Sequence, residues 1–400
     1  MTPLEVTAGK LLKDSFQGET GRRGVQTLRV LNLVNVSAMI DHMVTWVIVG
    51  PTVPFKGGVS QHTTELARRL SSDGADVTLL SWLRQYPKRL YPGTLEPDEP
   101  DDVPFENTER VLSWNRPDTW VRMGLRLRRQ STSNVFVGVT PFQYPLYLIM
   151  LLVAGEKARS RSVVIAHNVI PHEASSLDRL FTKLLFRAVR GVLTHSPDEK
   201  SRAEELGADA EYSPLPFHFP GEVWRRAPRE TTRDLLFLGF VRPYKGLDLL
   251  FEAISQIEPP VRLTVAGEFW EPEEKYDQLA IQLGISHQVT IQNRYVSTQE
   301  MVALLHEHDA LVLPYRSVTG TQLPQIAEAC GVPVITSAAF LDSDTAAITP
   351  ASANHKVIAG LRKEVIRFYN NAGQLTVDPK PFATEDHWEK YLTDLGRQFA

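Results

Sequence analysis

The chain has 400 residues, of which 42% are hydrophobic and 22% charged, and it carries 43 basic against 47 acidic side chains. The net charge of −4 excludes the basic balance typical of nucleic-acid-binding proteins, and the length is too great for one ordinary core. The single cysteine, Cys330, excludes a disulfide framework and a cysteine-based zinc site within the chain, which is typical of a reducing compartment.

The first 42 residues are the least regular part of the sequence. They contain no continuous apolar stretch after a basic start, and no apolar run in the chain approaches the ~18 residues of a membrane span. We therefore expect no signal peptide, no spanning helix and a cytoplasmic location. Met43 directly precedes the first clean strand, so one hypothesis is that the native chain begins there and that 1–42 is an extension outside the core.

Short apolar runs alternate with helical patterns from residue 43 to residue 213. This alternation predicts a doubly wound parallel sheet, because parallel strands are buried on both faces and are connected by helices. The predicted strands are 46–49, 76–80, 135–139, 163–166 and 192–194, and the predicted helices follow Ser60 as N-cap and then cover 118–129, 143–157, 177–190 and 197–206.

Prolines at 214, 216, 220 and 228 indicate an interdomain linker over 214–230. The alternation then begins again and predicts a second doubly wound domain over 231–375. Its predicted strands are 235–238, 262–266, 289–292, 310–313 and 332–336, and its predicted helices are 247–257, 273–283, 298–306, 322–330 and 355–370. A last helix is expected within 376–400, and packing against the N-terminal domain is one arrangement open to it.

Gly57 and Gly58 lie between the first predicted strand and the first predicted helix. Without side chains at this turn, a ligand can approach the backbone and the helix N-terminus. A buried strand over 163–166 ends at His167, which at the carboxyl edge of a sheet can contact a substrate phosphate or hydroxyl, or move a proton. A structural histidine bonded to a nearby carbonyl remains an equal alternative for this residue.

A basic turn follows the first strand of the second domain. Arg242 and Lys245 stand three residues apart between the apolar run 235–238, which ends at Gly239, and the helix that begins near Leu247. Two fixed cations in a strand–turn–helix unit suit a diphosphate better than a single carboxylate. An ordinary turn with two solvated basic side chains is the alternative.

Three further polar side chains are expected near the same sheet edge. Glu268 follows the next strand, and Thr321 and Gln322 open a helix that ends at Cys330. Cys330 is interpreted as a packed residue rather than a nucleophile. The segment 120–129 is basic with an apolar stripe, which favours a solvated helix packed on the first domain and is also compatible with contact to an anionic membrane surface.

These motifs, in this order and spacing, resemble the retaining, nucleotide-sugar-dependent glycosyltransferases of the GT-B fold, family four, also described as glycosyl transferases group 1. The resemblance covers about residues 45–336. It depends on the Gly57–Gly58 turn with its helix, the strand ending in His167, the Phe-x-Gly-x-x-Arg-x-x-Lys-Gly loop at 237–246 and the Ala-x-Ala-Cys-Gly-Val-Pro-Val segment at 327–334.

The resemblance implies two Rossmann-like domains that face a cleft, and a hexosyltransferase-type activity in polysaccharide biosynthesis without a metal. Arg242, Lys245 and His167 would be the catalytic residues, with the two cations stabilising the leaving nucleoside diphosphate. Donor-binding residues would be Gly57, Gly58, Gly239, Glu268, Thr321 and Gln322. No cofactor is expected beyond the nucleoside-diphosphate sugar as co-substrate. The expected partners are that donor and a glycan or lipid-linked acceptor, with no nucleic acid and with peripheral membrane contact left open.

The main departure from the family pattern is the absence of a pair of acidic residues. The resemblance calls for two glutamates eight residues apart, and the matching positions are Val318 and Ile326. Glu328 lies two residues further on, about 200° around the helix. Three hypotheses therefore remain open: a retaining glycosyltransferase, a degenerate GT-B domain that binds nucleotide sugar or a partner enzyme without turnover, and a nucleotide-sugar epimerase, for which the sequence offers no clear pair of cleft carboxylates.

Overall fold

The protein is described here from a computed structural model. The structure describes residues 45–87, 94, 96–97, 100, 102–138, 141–170, 175–218, 226–227, 230–318, 321–337, 352–371 and 384–399. The extension 1–42 and the proposed start at Met43 lie outside the described residues, so both stay predictions.

The first domain is built on a parallel sheet with the strand order β3-β2-β1-β4-β5-β6-β7. Its strands are β1 (Thr45–Val49), β2 (Asp76–Arg84), β3 (Thr108–Ser113), β4 (Ser133–Gly138), β5 (Ser162–Ala166), β6 (Gly191–Thr194) and β7 (Ala210–Tyr212). The connecting helices are α1 (Gly58–Ser72), α2 (Pro117–Arg129), α3 (Tyr144–Ala154), α4 (Glu156–Arg159), α5 (Ser176–Ala188) and α6 (Pro197–Glu205).

The second domain is built on a parallel sheet with the strand order β10-β9-β8-β11-β12. Its strands are β8 (Asp234–Leu238), β9 (Arg262–Ala266), β10 (Val289–Gln292), β11 (Ala310–Leu313) and β12 (Val334–Thr336). Its helices are α7 (Leu247–Ile254), α8 (Glu274–Gln282), α9 (Thr298–Glu307), α10 (Leu323–Ala329) and α11 (Ser352–Asn370), and the chain continues to α12 (Thr384–Arg397).

The prediction of two doubly wound parallel sheets is confirmed. Four strands of each sheet carry apolar runs, because helices cover both of their faces. In each sheet the strand order reverses beside the first strand, between β1 and β4 and between β8 and β11. Such reversals open a crevice at the carboxyl ends of the strands, where α/β sheets bind ligands. The Gly57–Gly58 turn follows β1 and the basic turn follows β8, so both lie at these crevices.

Three details of the prediction are wrong. Strands β3 and β7 were not predicted, because β3 mixes polar and apolar residues at a sheet edge and β7 has only three residues at the other edge. Strand β2 continues four residues beyond the predicted end, to Arg84. Ser60 is not the N-cap of α1: that position belongs to Gly57, whose φ of 100° favours glycine, and Ser60 lies buried in the first helical turn.

The last helix, α12, packs on the first domain. Trp388, Tyr391 and Leu395 are buried among side chains of β1, β4 and β5 on the face that α1 also covers. The indole of Trp388 donates to the carbonyl of Phe217 at 3.1 Å, and Ser213 donates to Asp394 at 2.8 Å. These contacts fix α12 to both the sheet and the start of the interdomain segment.

Candidate active site

The basic turn after β8 is held by Arg316, which follows β11. Its guanidinium makes a bidentate contact with Asp248 at 2.6 and 2.8 Å and also donates to the carbonyl of Pro243 at 2.8 Å. Gly246 then enters α7 with φ 67°, and a Cβ there would lie 2.2 Å from the carbonyl oxygen of Pro314. Only glycine fits this position. A rigid turn therefore forms one wall of the crevice between β8 and β11.

Lys245 projects from this turn into the protein and is buried. A Cβ on Gly239, the residue that ends β8, would lie 2.8 Å from its Nζ, so the absence of a side chain there makes room for the ammonium. The Nζ also lies 5.2 Å from the centre of the Tyr315 ring. Among the described residues no carboxylate forms an ion pair with Lys245. Burial, and secondly the charge of Arg242, lower its pKa to about 7.

Arg242 is partly buried and lies on an aromatic surface. Its guanidinium carbon is 3.6 Å from the centre of the Trp270 ring, the geometry of a cation–π contact. Phe240 packs near the same ring, with its ring centre 5.4 Å from that of Trp270 and 6.5 Å from that of Tyr295. Stacking on Trp270 orients the Arg242 guanidinium. Its positive charge therefore has a defined position, unlike that of a solvated surface side chain.

The loops that follow β8 and β9 pair with each other. The backbone N–H of Val241 donates to the carbonyl of Glu268 at 2.9 Å, and that of Trp270 donates to the carbonyl of Val241 at 3.0 Å. This pairing brings Glu268 beside the basic turn, as the sequence analysis expected from its place at the sheet edge. Oε1 of Glu268 is buried and has no hydrogen-bond partner among the described residues.

Lys56, just before the glycine pair, reaches from the first domain to the second. Its ammonium lies 2.7 Å from Oε2 of Glu268 and 4.9 Å from the centre of the Tyr295 ring. The exposed fractions of the two side chains are only 4% and 14%, so water screens this pair weakly. A second contact joins the domains where Gln61 donates to Thr298 at 3.3 Å. The two crevices therefore face one cleft.

The glycine pair itself is open toward that cleft. A Cβ on Gly57 or on Gly58 would meet no described atom within 4 Å. Backbone N–H groups at the start of α1 are thus accessible to a ligand, as the sequence analysis expected. Lys56 stands at the edge of this opening.

Thr321 and Gln322 lie at the start of α10, directly before Leu323. Thr321 Oγ1 accepts from the N–H of Leu323 at 3.3 Å, and the side chain of Gln322 donates to the carbonyl of Pro216 at 3.1 Å. Leu323 also borders Gly239, since its Cδ1 would be 3.8 Å from a Cβ there. The amide of Gln322 is thus engaged with the interdomain segment.

His167 follows β5, as predicted, but its ring contacts are with other histidines of the first domain. Its ring centre lies 5.1 Å from that of His62 on α1 and 4.6 Å from that of His195 after β6. His62 in turn stacks on Trp388 of α12 at 5.4 Å and contacts Tyr391 at 5.3 Å. No described contact joins His167 to the basic turn, so of the expected site residues it is the one set apart.

The histidine cluster, defined as His62, His167 and His195, is uncharged at neutral pH. Burial lowers the pKa of each imidazole below the ordinary 6.5, to about 4 for His195, and for His62 and His167 the neighbouring histidines lower it further. A neutral His167 can exchange hydrogen bonds with a hydroxyl but is a poor proton donor at pH 7. In the described part of the chain no group of three or more His, Cys, Asp or Glu is arranged to hold a metal ion.

The two positions that depart from the family pattern are occupied by packed apolar side chains. Ile326 is buried, and Val318 packs against the same core cluster of the second domain. Glu328, the nearest acid on α10, is exposed. The structure thus places no carboxylate where the resemblance calls for the glutamate pair. Cys330 is buried with a pKa raised by burial to about 11, as a packed residue should be.

Sequence reasoning missed five residues of the cleft and of the histidine cluster: Lys56, His62, His195, Trp270 and Tyr295. Lys56 and Trp270 were adjacent to motifs that had been noted, and attention to the neighbours of Gly57 and Glu268 could have found them. Tyr295 lies after β10 in a segment without a motif. The histidines are far apart in sequence, and no local pattern signals that they meet.

Two family models match consecutive parts of the chain. A glycosyl transferase 4-like domain matches residues 57–216, and glycosyl transferases group 1 matches residues 222–346. The two matches divide the chain at the proline-rich segment and together span most of both described domains.

Both domains of the chain therefore match models of glycosyltransferase domains.

Curated relatives and solved structures agree with this family. The glycosyltransferase is 24% identical over 322 residues to glycogen synthase of Mycobacterium tuberculosis, covering 70% of this chain and 74% of the relative. It is 29% identical over 131 residues to D-inositol 3-phosphate glycosyltransferase of Mycobacterium marinum, covering 29% and 28%.

In fold, the glycosyltransferase is similar to Anabaena HepE, solved with UDP and glucose, with a TM-score of 0.64, 13% identity and coverage of 89% of this chain and 100% of HepE. Sucrose-phosphate synthase of Thermosynechococcus elongatus gives a TM-score of 0.63 with 14% identity and coverage of 89% and 98%. These likenesses confirm the predicted GT-B fold.

Because the histidine cluster is buried without charge, we expect the protein to lose stability in acid. An unfolded histidine takes up a proton near pH 6.5 whereas the buried one does so only at lower pH, so the free energy of unfolding falls as the pH drops from about 6.5 toward about 4. His195→Asn keeps a donor for Ser213, and we expect the loss between about pH 7.5 and about pH 5 to be roughly 2 kcal/mol smaller than in the wild type.

Urea unfolding at the two pH values measures this difference. His287→Asn, at an exposed position in the second domain, is the matched control and should lose as much stability as the wild type. An equal loss in His195→Asn would show that folding does not lower the pKa of His195.

Because the Lys56–Glu268 pair joins the two domains, we expect its removal to open the cleft. Lys56→Met or Glu268→Gln should each lower the ratio of closed to open molecules by about thirtyfold, since a weakly screened pair contributes about 2 kcal/mol. Small-angle scattering would show a larger radius of gyration for each variant, and the double variant should open no further than the single ones.

Lys275 and Glu271 form an ion pair of similar length, 2.8 Å, within the second domain, and Lys275→Met is the control. An unchanged radius of gyration in Lys56→Met would mean that other contacts hold the domains together.

Proposed function

We propose that the protein transfers a sugar from a nucleoside-diphosphate donor to a glycan or lipid-linked acceptor, with retention of configuration and without a metal. The donor binds mainly to the second domain, at the basic turn after β8, and the acceptor mainly to the first. Closure of the cleft excludes water, so that the sugar passes to the acceptor rather than to water.

The observation that carries this proposal is the side chain of Lys245, which is buried beside Arg242 and has no ion-pair partner among the described residues. Arg242 and a protonated Lys245 place two positive charges at the carboxyl end of a parallel sheet, and a diphosphate supplies charge for both. Their positions are fixed before the ligand arrives, by Tyr315 under Lys245 and by Trp270 under Arg242. Fixed charge of this kind stabilises a leaving nucleoside diphosphate more in the transition state than in the ground state.

The relatives support the same reaction. HepE was solved with UDP and glucose and shares the fold, and the curated relatives are named as a glycogen synthase and a glycosyltransferase. A polysaccharide-type acceptor and retention of configuration follow from the family resemblance and form the finer part of the proposal. His167, as a neutral imidazole, would take part as a hydrogen-bonding group to a hydroxyl rather than as an acid.

One observation favours a second function, a binding domain without turnover. Val318 and Ile326 are apolar and packed in the core, so the carboxylates that the resemblance calls for at these positions are missing. Purified protein incubated with a panel of nucleotide sugars separates the two functions. Release of free nucleotide from one donor supports transfer, whereas saturable binding without release, even with acceptors supplied by extract, supports the binding function.

Lys245→Ala should reduce nucleotide release by about two orders of magnitude, because it removes transition-state stabilisation of roughly 3 kcal/mol. The measurement is the initial rate with the donor that the panel identifies, with a thermal melt to show that the variant is folded. Lys275→Ala, an exposed lysine of the same domain, is the control and should leave the rate unchanged. Unchanged release in folded Lys245→Ala would remove Lys245 from the site.

Binding of the nucleotide should also take up a proton. At about pH 8 roughly nine-tenths of the Lys245 side chains are neutral in the free protein, since their pKa is about 7, and a bound diphosphate favours the ammonium. We expect close to one proton taken up per UDP, GDP or ADP bound at about pH 8 and much less at about pH 6.

Titration calorimetry in two buffers of different ionisation enthalpy measures this uptake directly. Lys245→Met should abolish it, and Lys275→Met should not. Uptake that is equal at both pH values, or that survives in Lys245→Met, would assign the proton to another group.

A further inference from the structure

Exposed apolar side chains are concentrated on three helices of the first domain. Of the eleven large hydrophobic residues that are exposed in the described part of the chain, seven lie on α2, α3 and α5. We call this surface the α2–α3–α5 face, and its apolar members are Val121, Leu125, Ile149, Leu152, Leu177, Leu180 and Leu184. Single exposed leucines are ordinary, whereas a cluster on neighbouring elements marks a surface that meets a partner.

The three helices lie side by side, with α3 in contact with both α2 and α5. Gly124 allows α2 to approach α3 closely, since a Cβ there would lie 2.6 Å from the carbonyl oxygen of Met150 and 2.8 Å from Cβ of Val153. On α5 the exposed leucines follow a helical stripe at positions 177, 180 and 184, and those on α2 and α3 are spaced by four and three residues. The stripes therefore form one continuous surface.

The same face is strongly basic in a protein whose net charge is −4. Helix α2 carries four arginines and one aspartate, and α5 carries three basic residues and one aspartate. Asp118 already pairs with Arg116 and Arg122, and Asp178 forms the capping box of α5 with Ser175. Among the described residues no ion pair engages Arg128, Arg129, Arg179 or Lys183.

An apolar stripe flanked by basic side chains without ion pairs among the described residues fits the surface of an anionic bilayer. The interface of an anionic bilayer offers phosphates to the basic side chains and acyl chains to the leucines. A second copy of the chain fits poorly, because a two-fold dimer through this face would set cationic helices against each other. No helix in the described residues is long and apolar enough to cross a membrane, so contact through this face would lie in the interface plane.

We propose that the α2–α3–α5 face docks the protein on anionic lipid bilayers. Leu152 and Leu180 enter the headgroup region, while Arg128, Arg129 and Lys183 bind lipid phosphates. This surface lies on one side of the first sheet, opposite the face that α12 covers, so docking leaves α12 and the histidine cluster in place.

Co-sedimentation with lipid vesicles tests the proposal. The wild type should bind mixed phosphatidylcholine–phosphatidylglycerol vesicles, bind pure phosphatidylcholine vesicles weakly and lose binding at high salt. The double variants Leu152→Glu/Leu180→Glu and Arg128→Glu/Arg129→Glu should each reduce the partition coefficient by about tenfold or more. Thermal melts establish that both variants are folded.

Matched controls lie on the second domain. Ile281→Glu replaces an exposed apolar residue on α8, and Arg362→Glu/Lys363→Glu reverses two exposed charges on α11, so both should bind vesicles like the wild type. Three results would overturn the proposal: no binding of the wild type to anionic vesicles, equal loss in the controls, or light scattering that shows a dimer broken by the α2–α3–α5 substitutions without any vesicle binding.

Discussion

The structure depends on one unbalanced charge, the ammonium of Lys245, which the fold buries without a partner among the described residues. Three features force it into that place. Gly239 leaves space at the end of β8, Gly246 turns the chain into α7 and the Arg316–Asp248 pair fixes the turn to the neighbouring β11 loop. Burial of an unpaired cation is costly, and the lowered pKa of Lys245 is the measure of that cost. A protein keeps such a site where an incoming anion offsets the cost.

Much of this arrangement could be predicted because it is local. The strands of both sheets are short apolar runs, the helices between them follow a clear period, and a glycine or basic turn at each strand end marks the crevice. Strands β3 and β7 escaped prediction because edge strands need no continuous apolar run. The positions of Arg242, Lys245 and Glu268 at one sheet edge could also be predicted, because the carboxyl ends of parallel strands meet at the same edge.

The surroundings of the site could not be predicted, because they depend on contacts between distant parts of the chain. Lys56 and Glu268 are separated by 212 residues and belong to different domains, so their pairing follows from how the domains face each other. The charge state of His167 also depends on distant parts of the chain. Its place at the end of β5 was correct, but the rings of His62 and His195 and the helix α12 that covers the cluster determine its charge state.

The loss of the two family carboxylates changes how a sugar donor can be held. Glu268 lies beside the basic turn, and Lys56 engages its Oε2, which leaves Oε1 as the oxygen that can accept from a ligand hydroxyl. Trp270, Tyr295 and Phe240 surround the same place, and aromatic faces bind the flat surface of a base or the apolar face of a sugar. The proposed donor site thus combines two basic side chains, one accepting oxygen and three rings. Selection among donors would then depend on ring contacts more than on the pattern of sugar hydroxyls.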